Sequence, residues 1–244
     1  MTNSTDIFGL AFRDYLDGQT NESILVDINI SDTEVLPVSY FFRDFAQMPD
    51  WEQKTLDACM GRILDVGAGA GSHALYLKKK GHEVTAIDVS PGAVECMQER
   101  GIENAQLKDF FEFRAQKFDT ILFLMNGTGM AQTLDKLKDL LQHAAGLLAP
   151  GGNIYLESTD LLYMFEEEDG SVRIDLAGDY YGEITYQLQY KQYNGEPFKW
   201  LFVDFDNLHN VASLAGLDCE QFYRGENDNY IARLFVSELS KQRK

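Results

Sequence analysis

The stretch ILDVGAGAGSHA, residues 63–74, sets Gly67, Gly69 and Gly71 at alternate positions directly after an apolar run. A loop this bare of side chains lets its backbone N–H groups approach a ligand closely. Loops that hold a dinucleotide follow G-x-G-x-x-G, whose third glycine packs the helix so that a pyrophosphate can rest on its N-terminus. Here Ser72 stands where that glycine belongs, so the spacing is wrong for a nicotinamide cofactor. Aspartates accompany the loop: Asp65 just before it, Asp88 at the end of the next apolar run, and Asp109 at the end of a third. A carboxylate at a strand end can accept two hydrogen bonds from one ligand. The plainer reading of Asp88 and Asp109 is a turn or cap residue.

A regular frame carries these residues. RILDVG (62–67) reads as a strand, and HALYLKKKG as a helix closed by Gly81. EVTAID (83–88) is a second strand; in SPGAVECMQERG, Ser90 is the N-cap, Pro91 the first helical residue and Gly101 the stop. AQLKD (105–109) reads as a third strand and FDTILFLM (118–125) as a fourth, buried on both faces. Leu134, Leu137, Leu141, Ala144 and Leu148 recur at helical spacing until Pro150-Gly151-Gly152 releases NIYLES as the fifth. Strand, helix, strand at these intervals implies right-handed parallel crossovers, hence a doubly wound α/β fold with helices on both faces. Ligands of such sheets sit beyond the carboxyl ends of the strands, where the glycine loop lies.

The flanks break the pattern. Residues 1–55 hold a short helix, a strand pair around ILVDINI and EVLPVSY, and the start of a helix at DWEQKTLDACMG. An antiparallel insertion at about 170–200 turns at Asn194-Gly195, a hairpin dipeptide; a helix around VDFDNLHNVASLAGL and the strands CEQFYRG and YIARLFVS close the chain. The expected organisation is an N-terminal extension (1–55) covering the active site and an α/β domain (56–244) whose insertion follows the fifth strand. Both flanks are rich in Tyr and Phe.

LDVGAGAG, VTAID with its acidic strand end, a strand ending in Asp109, and LLAPGG before the fifth strand together resemble the class I S-adenosylmethionine-dependent methyltransferases. The resemblance covers residues 61 to about 160 well and the closing elements more loosely, and it implies a mostly parallel seven-stranded sheet and S-adenosylmethionine as cofactor. By that resemblance Asp65 and the Gly67 backbone face the methionine amino group, Ala68 and Gly69 pack under the cofactor, and Asp88, with Val89 after it, meets the ribose. Asp109 takes the adenine amino hydrogen, Phe110 lies against the ring, and Met125 and Asn126 stand nearest the transferable methyl. Arg43 is a partner for the cofactor carboxylate. Asn126-Gly127 is also a turn dipeptide, and Tyr40, Phe41 and Phe42 are core or pocket wall alike. Tyr180 and Tyr181 stand in the same balance for the acceptor pocket.

Methyl transfer from a sulfonium is an in-line displacement by a pre-activated donor, so positioning supplies most of the acceleration. Should an acceptor proton need a base, Glu157, Asp160, His73 and Tyr163 lie near expected strand ends, His73 being read first as a solvated or satisfied histidine. No catalytic residue is assigned. LMNGTG replaces the Asn/Asp-Pro-Pro-Tyr tetrad of enzymes that methylate adenine or amide nitrogens, and no Pro-Cys pair exists for a covalent pyrimidine adduct. A small molecule is the expected acceptor, with a protein side chain second. A nicotinamide oxidoreductase is opposed by the glycine spacing and by Tyr76 and Lys80, whose Tyr-x-x-x-Lys pair falls too early; a non-catalytic nucleotide-binding protein stays open.

The 39 acidic and 21 basic residues give a net charge of −18, a field that repels phosphate backbones and disfavours nucleic acid as a partner. Glu166, Glu167, Glu168 and Asp169 read as a solvated loop or a rim attracting a cationic acceptor. Three well-separated cysteines fit neither a disulfide framework nor a metal site, and with no leader or 18-residue apolar run the expected home is the cytoplasm. The acceptor's identity and the oligomeric state are left open.

Overall fold

Local punctuation sets most elements of the computed structural model, which describes residues 5–114, 116–167, 169–174 and 177–236. In chain order they are α1 (Ile7–Leu16), β1 (Ser23–Ile28), β2 (Ser31–Pro37), α2 (Asp50–Ala58), β3 (Arg62–Val66), α3 (Ser72–Lys79), β4 (Glu83–Asp88), α4 (Pro91–Glu99) and β5 (Ala105–Leu107). There follow β6 (Phe118–Phe123), α5 (Leu134–Leu147), β7 (Leu148–Thr159), β8 (Glu183–Tyr190), β9 (Tyr193–Asn194), β10 (Phe198–Leu201), α6 (Phe205–Leu214), β11 (Leu217–Arg224) and β12 (Asn229–Val236). Ser90 caps α4 through the Ala93 N–H, with Pro91 in its first turn and Gly101 at φ 93° beyond its end. Chain contacts divide the molecule into one unit of residues up to 114 together with 185–198, and a second of 115–184 and 199 onward.

In the first unit β3, β4 and β5 pair in parallel, joined by α3 and α4. The N-terminal segment belongs to the same unit: β1 pairs antiparallel with β2 on one side and with the Thr185–Tyr190 part of β8 on the other. One apolar cluster therefore joins Ile7 and Phe12 of α1, Ile24 and Val26 of β1, Ala70 of the glycine loop, Ala93 and Cys96 of α4, and Leu188 and Tyr190 of β8. The hairpin turns at Lys191-Gln192, since Tyr190 pairs with Tyr193 and Gln189 with Asn194, three residues earlier than the Asn194-Gly195 dipeptide suggests. Lys191 takes φ 51° there while its ammonium binds Asp14 at 2.5 Å and Gln19 at 2.6 Å, so a tertiary ion pair selects the turn.

In the second unit β6 and β7 pair in parallel, β12 runs antiparallel to β7, and β11 antiparallel to β12. The stripe of α5 is buried at Leu137, Leu140, Leu141, Ala144 and Leu147. Pro150-Gly151-Gly152 lies inside β7 rather than before it: the register slips from Phe118↔Leu148 to Thr120↔Asn153, and the extra residues bulge out. The fold is thus α/β: among the described strands β3, β4 and β5 in the first unit and β6 and β7 in the second pair in parallel, while β11 and β12 in the second, like β1, β2 and β8 in the first, pair antiparallel. No helix among the described residues is long and apolar enough to cross a membrane.

Candidate functional site

The glycine loop is a folded turn held from beneath. Gly67 and Ala68 both donate to the Ile87 carbonyl at 2.9 and 3.1 Å, and Gly71 donates back to Ala68 at 2.8 Å. Gly67, Gly69 and Gly71 all have positive φ, at 68°, 57° and 82°. At Gly71 a Cβ would lie 2.3 Å from Ile102 Cδ1 and 2.9 Å from Met97 Cγ, so a side chain there would have to displace these two apolar side chains as well as adopt the φ of 82°. Gly67 stays exposed at the top of the turn, Ala68 and Gly69 are half-buried, and Val89 is 69% exposed.

Asp88 ties this turn to α4. Its Oδ2 accepts the Gly69 N–H at 2.9 Å and its Oδ1 the Ser90 N–H at 2.9 Å. Burial pushes the carboxyl up, and these two N–H groups only partly offset that. Asp65, buried at the end of β3, is in a harsher place: its Oδ2 has no hydrogen-bond partner among the described residues. Burial raises its carboxyl too, against the opposing charge of His73 and the Ala74 N–H. A buried carboxylate oxygen without a donor is costly unless a ligand supplies one.

His73 is buried in the first turn of α3, with its Nε2 2.8 Å from Glu52 Oε2. Glu52 is in turn gripped by Arg43, whose Nη2 reaches Oε1 at 2.9 Å and Oε2 at 3.1 Å. Burial alone would raise the Glu52 carboxyl, but His73 and then Arg43 outweigh it and hold it below the usual range. Arg43, expected to pair a cofactor carboxylate, is thus turned onto Glu52, with its Nε on the Tyr40 carbonyl and its guanidinium 3.6 Å from the Tyr40 ring centre.

The N-terminal aromatics lie against the glycine loop. Phe12 and Phe41 are the nearest groups to where a Gly69 Cβ would stand, at 3.9 and 4.0 Å, and their rings lie 5.2 Å apart. Ser72 donates to the Phe41 carbonyl at 2.7 Å, and Arg100 reaches the Ala70 carbonyl while covering the Phe42 ring. Asp6 completes this packing: it caps α1 at Gly9 and accepts from Ser90 Oγ at 2.7 Å and the Gly92 N–H at 2.9 Å, so one carboxylate joins the starts of two helices.

Asp109 lies two residues beyond β5, which stops at Leu107 instead of running to Asp109, and caps a 3₁₀ turn by accepting the Phe111 N–H at 2.8 Å. Phe110 is buried, whereas Phe111 is exposed. In the second unit β6 ends at Phe123, short of the expected Met125. Met125 and Asn126 both take left-handed φ, 54° and 56°. Buried Glu157, a candidate base, accepts the Met125 N–H at 2.7 Å, and Asn126 Nδ2 donates to the Leu201 carbonyl at 3.2 Å. Tyr181 donates to Asp160 at 2.7 Å and Tyr180 to Asp204 at 2.5 Å; burial and these carboxylates push both phenols well up. Tyr163 is exposed, and of the acidic run Glu168 lies outside the described residues.

Glu52, Asp6, Arg100 and Asp204 are absent from the sequence reading. Glu52 had a signal: with Thr55, Leu56 and Cys59 it falls at i, i+3, i+4 and i+7, the buried stripe of α2. Asp6 had half of one, an N-cap aspartate before an apolar helix. Its reach to Ser90 and Gly92 crosses more than 80 residues and leaves no local trace.

A family model described as a methyltransferase domain matches residues 63–152. Over 97% of its length the chain is similar, at 40% identity and TM-score 0.88, to all of an S-adenosylmethionine-dependent methyltransferase from Bacteroides fragilis solved with S-adenosyl-L-homocysteine. It is 30% identical over 116 residues, 45% of its length, to a ubiquinone biosynthesis O-methyltransferase of Xanthomonas oryzae pv. oryzae, and spans 47% of that curated relative. The CcbJ methyltransferase of Streptomyces caelestis, 16% identical over 80% of this chain and 93% of its own, shares the fold at TM-score 0.60.

Proposed function

This chain belongs to the S-adenosylmethionine-dependent methyltransferases, and from that premise we propose that it transfers a methyl group from S-adenosylmethionine to a small organic acceptor. The carrying observation is the buried Asp65 oxygen without a donor beside an open glycine loop, with Asp88 bound to the same loop. An ammonium group is the donor that such an oxygen fits. When bound, the cofactor supplies a methyl group already activated on a sulfonium, for in-line transfer to the acceptor.

In the proposed set Asp65 and the Gly67 backbone hold the amino end, and Ala68 and Gly69 form the floor. Asp88 meets the Gly69 N–H with one oxygen and the Ser90 N–H with the other, and its remaining capacity serves the ribose hydroxyls. Val89, exposed beside it, offers an apolar edge, and Asp109 and Phe110 serve the base. Arg43 has five N–H donors in all, so its bonds to Glu52 and Tyr40 leave capacity for a carboxylate. Met125 and Asn126 complete the set and are tested by the same titrations.

A small acceptor is supported by the missing base-methylation motifs, by the acidic surface, and by the small-molecule chemistry in the name of the Xanthomonas relative. The cytoplasm is part of the proposal, supported by Cys59, Cys96 and Cys219 all being free thiols. Calorimetry of the purified protein with S-adenosyl-L-homocysteine and with NAD tests the cofactor, and a panel of hydroxyl and amine acceptors followed by mass spectrometry tests the transfer. Binding of NAD in place of the homocysteine product overturns the reading.

A further inference from the structure

We propose that His73 is a positioning residue for the cofactor's amino-acid end: gripped by Glu52, it keeps a positive charge beside Asp65, so that Asp65 is a carboxylate before the ammonium arrives. The inference rests on the assignment of Asp65 to that ammonium and goes beyond it to a residue the glycine-loop pattern does not contain.

The geometry is a buried row of charges. Arg43 closes on both oxygens of Glu52 at 2.9 and 3.1 Å, and His73 Nε2 sits 2.8 Å from Glu52 Oε2. The residue after His73, Ala74, turns its N–H onto Asp65. The row Arg43, Glu52, His73, Asp65 is neutral either with a charged imidazole beside an ionised Asp65 or with both groups neutral, and the Glu52 carboxylate 2.8 Å from His73 Nε2 favours the charged imidazole. The other ionisable groups facing Asp65 in this unit do not supply a positive charge. Asp88 on β4 adds a negative one, and the Cys59 thiol after α2, pushed up by burial and by Asp65, stays neutral. Without a charged imidazole, burial favours a protonated Asp65, and a carboxylic acid cannot pair with an ammonium ion.

The test is the pH profile of S-adenosyl-L-homocysteine binding by calorimetry, with His73→Asn and, in case that variant folds poorly, His73→Gln. The expected result is roughly tenfold weaker binding than wild type at pH 6, converging to within about twofold at pH 8, where Asp65 ionises without help. An equal loss at both pH values, the mark of a purely structural histidine, or no loss at either, overturns the proposal. Wild-type protein gives an independent reading at pH 6 in two buffers of different ionisation enthalpy. Equal heats show that Asp65 was ionised beforehand, while release of about one proton shows that it was not and overturns the proposal. Failure of the underlying assignment looks different: wild type that does not bind at pH 8, or Asp65→Ala that binds as tightly as wild type there.

Discussion

Asp88 meets two demands with one carboxylate, fixing the turn through the Gly69 and Ser90 N–H groups and, in the proposed site, receiving the ribose. Asp88→Ala should therefore weaken S-adenosyl-L-homocysteine binding by at least tenfold, each lost charge-assisted bond being worth about 1.5–3 kcal/mol. It should also lower the melting temperature of the ligand-free protein by a few degrees, because two backbone donors lose their acceptor. Calorimetry and thermal unfolding of one preparation read both effects; unchanged affinity removes Asp88 from the site. Asp65 differs from Asp88 in having one oxygen that no donor among the described residues satisfies. Its folded-state carboxyl is raised, so the fold holds the proton more tightly than the unfolded chain does, and ionised Asp65 is a burden at neutral pH. Asp65→Asn should raise the melting temperature of the ligand-free protein at pH 7 by a few degrees while weakening product binding more than tenfold. The stability gain should vanish near pH 3.8, the usual aspartate value, and grow as pH rises through the raised one. A variant that is less stable at pH 7 contradicts this account.

At the scale of elements, α1 and α4 meet through two glycines. A Cβ on Gly92 would stand 2.4 Å from Gly9 Cα, and one on Gly9 would stand 2.8 Å from Gly92 Cα. Gly92→Ala should force α1 away and cost about 1–3 kcal/mol, with hydrogen exchange accelerating in residues 7–16 and hardly in α5. Intact protection of α1 would mean the contact is slack. Such contacts also mark where reading the sequence stops. Ser90, Pro91, Gly81 and Gly101 act within their own turn, so their punctuation was legible, and so was the glycine loop. Strand ends were not: Asp109 and Met125 lie beyond strands that stop at Leu107 and Phe123, because pairing partners and turn geometry end a strand, not its apolar run. The hairpin followed the Lys191–Asp14 pair instead of the local Asn-Gly preference. In the candidate site Asp65 and Asp88 were readable from spacing, whereas Glu52 needed the helical stripe of α2 to be taken as seriously for a carboxylate as for a leucine.

For the whole molecule, a net charge of −18 is a store of self-repulsion that compaction must overcome. Raising sodium chloride from about 20 to 300 mM shortens the Debye length from roughly 20 to 6 Å, and should raise the melting temperature by a few degrees. A falling melting temperature would mean that exposed ion pairs such as Arg13–Glu99 and Arg233–Glu220 outweigh the long-range repulsion. The organisation of the chain alters one natural experiment as well. Deleting residues 1–36 to ask whether the extension covers the acceptor removes β1, which pairs with β8 within the first unit, and almost all of β2, which pairs with β1, so folding must be verified before any loss of turnover is interpreted. The same pairing governs the order of events during synthesis. Asp27 of β1 and Gln189 of β8 bond across 162 residues, so at about 5–20 residues per second the ribosome makes β1 roughly 10–30 s before its partner exists. Through that interval Ile24 and Val26 have no β8 to cover them, and β1 stays open to chaperones and to misassembly until residues 185–190 are made.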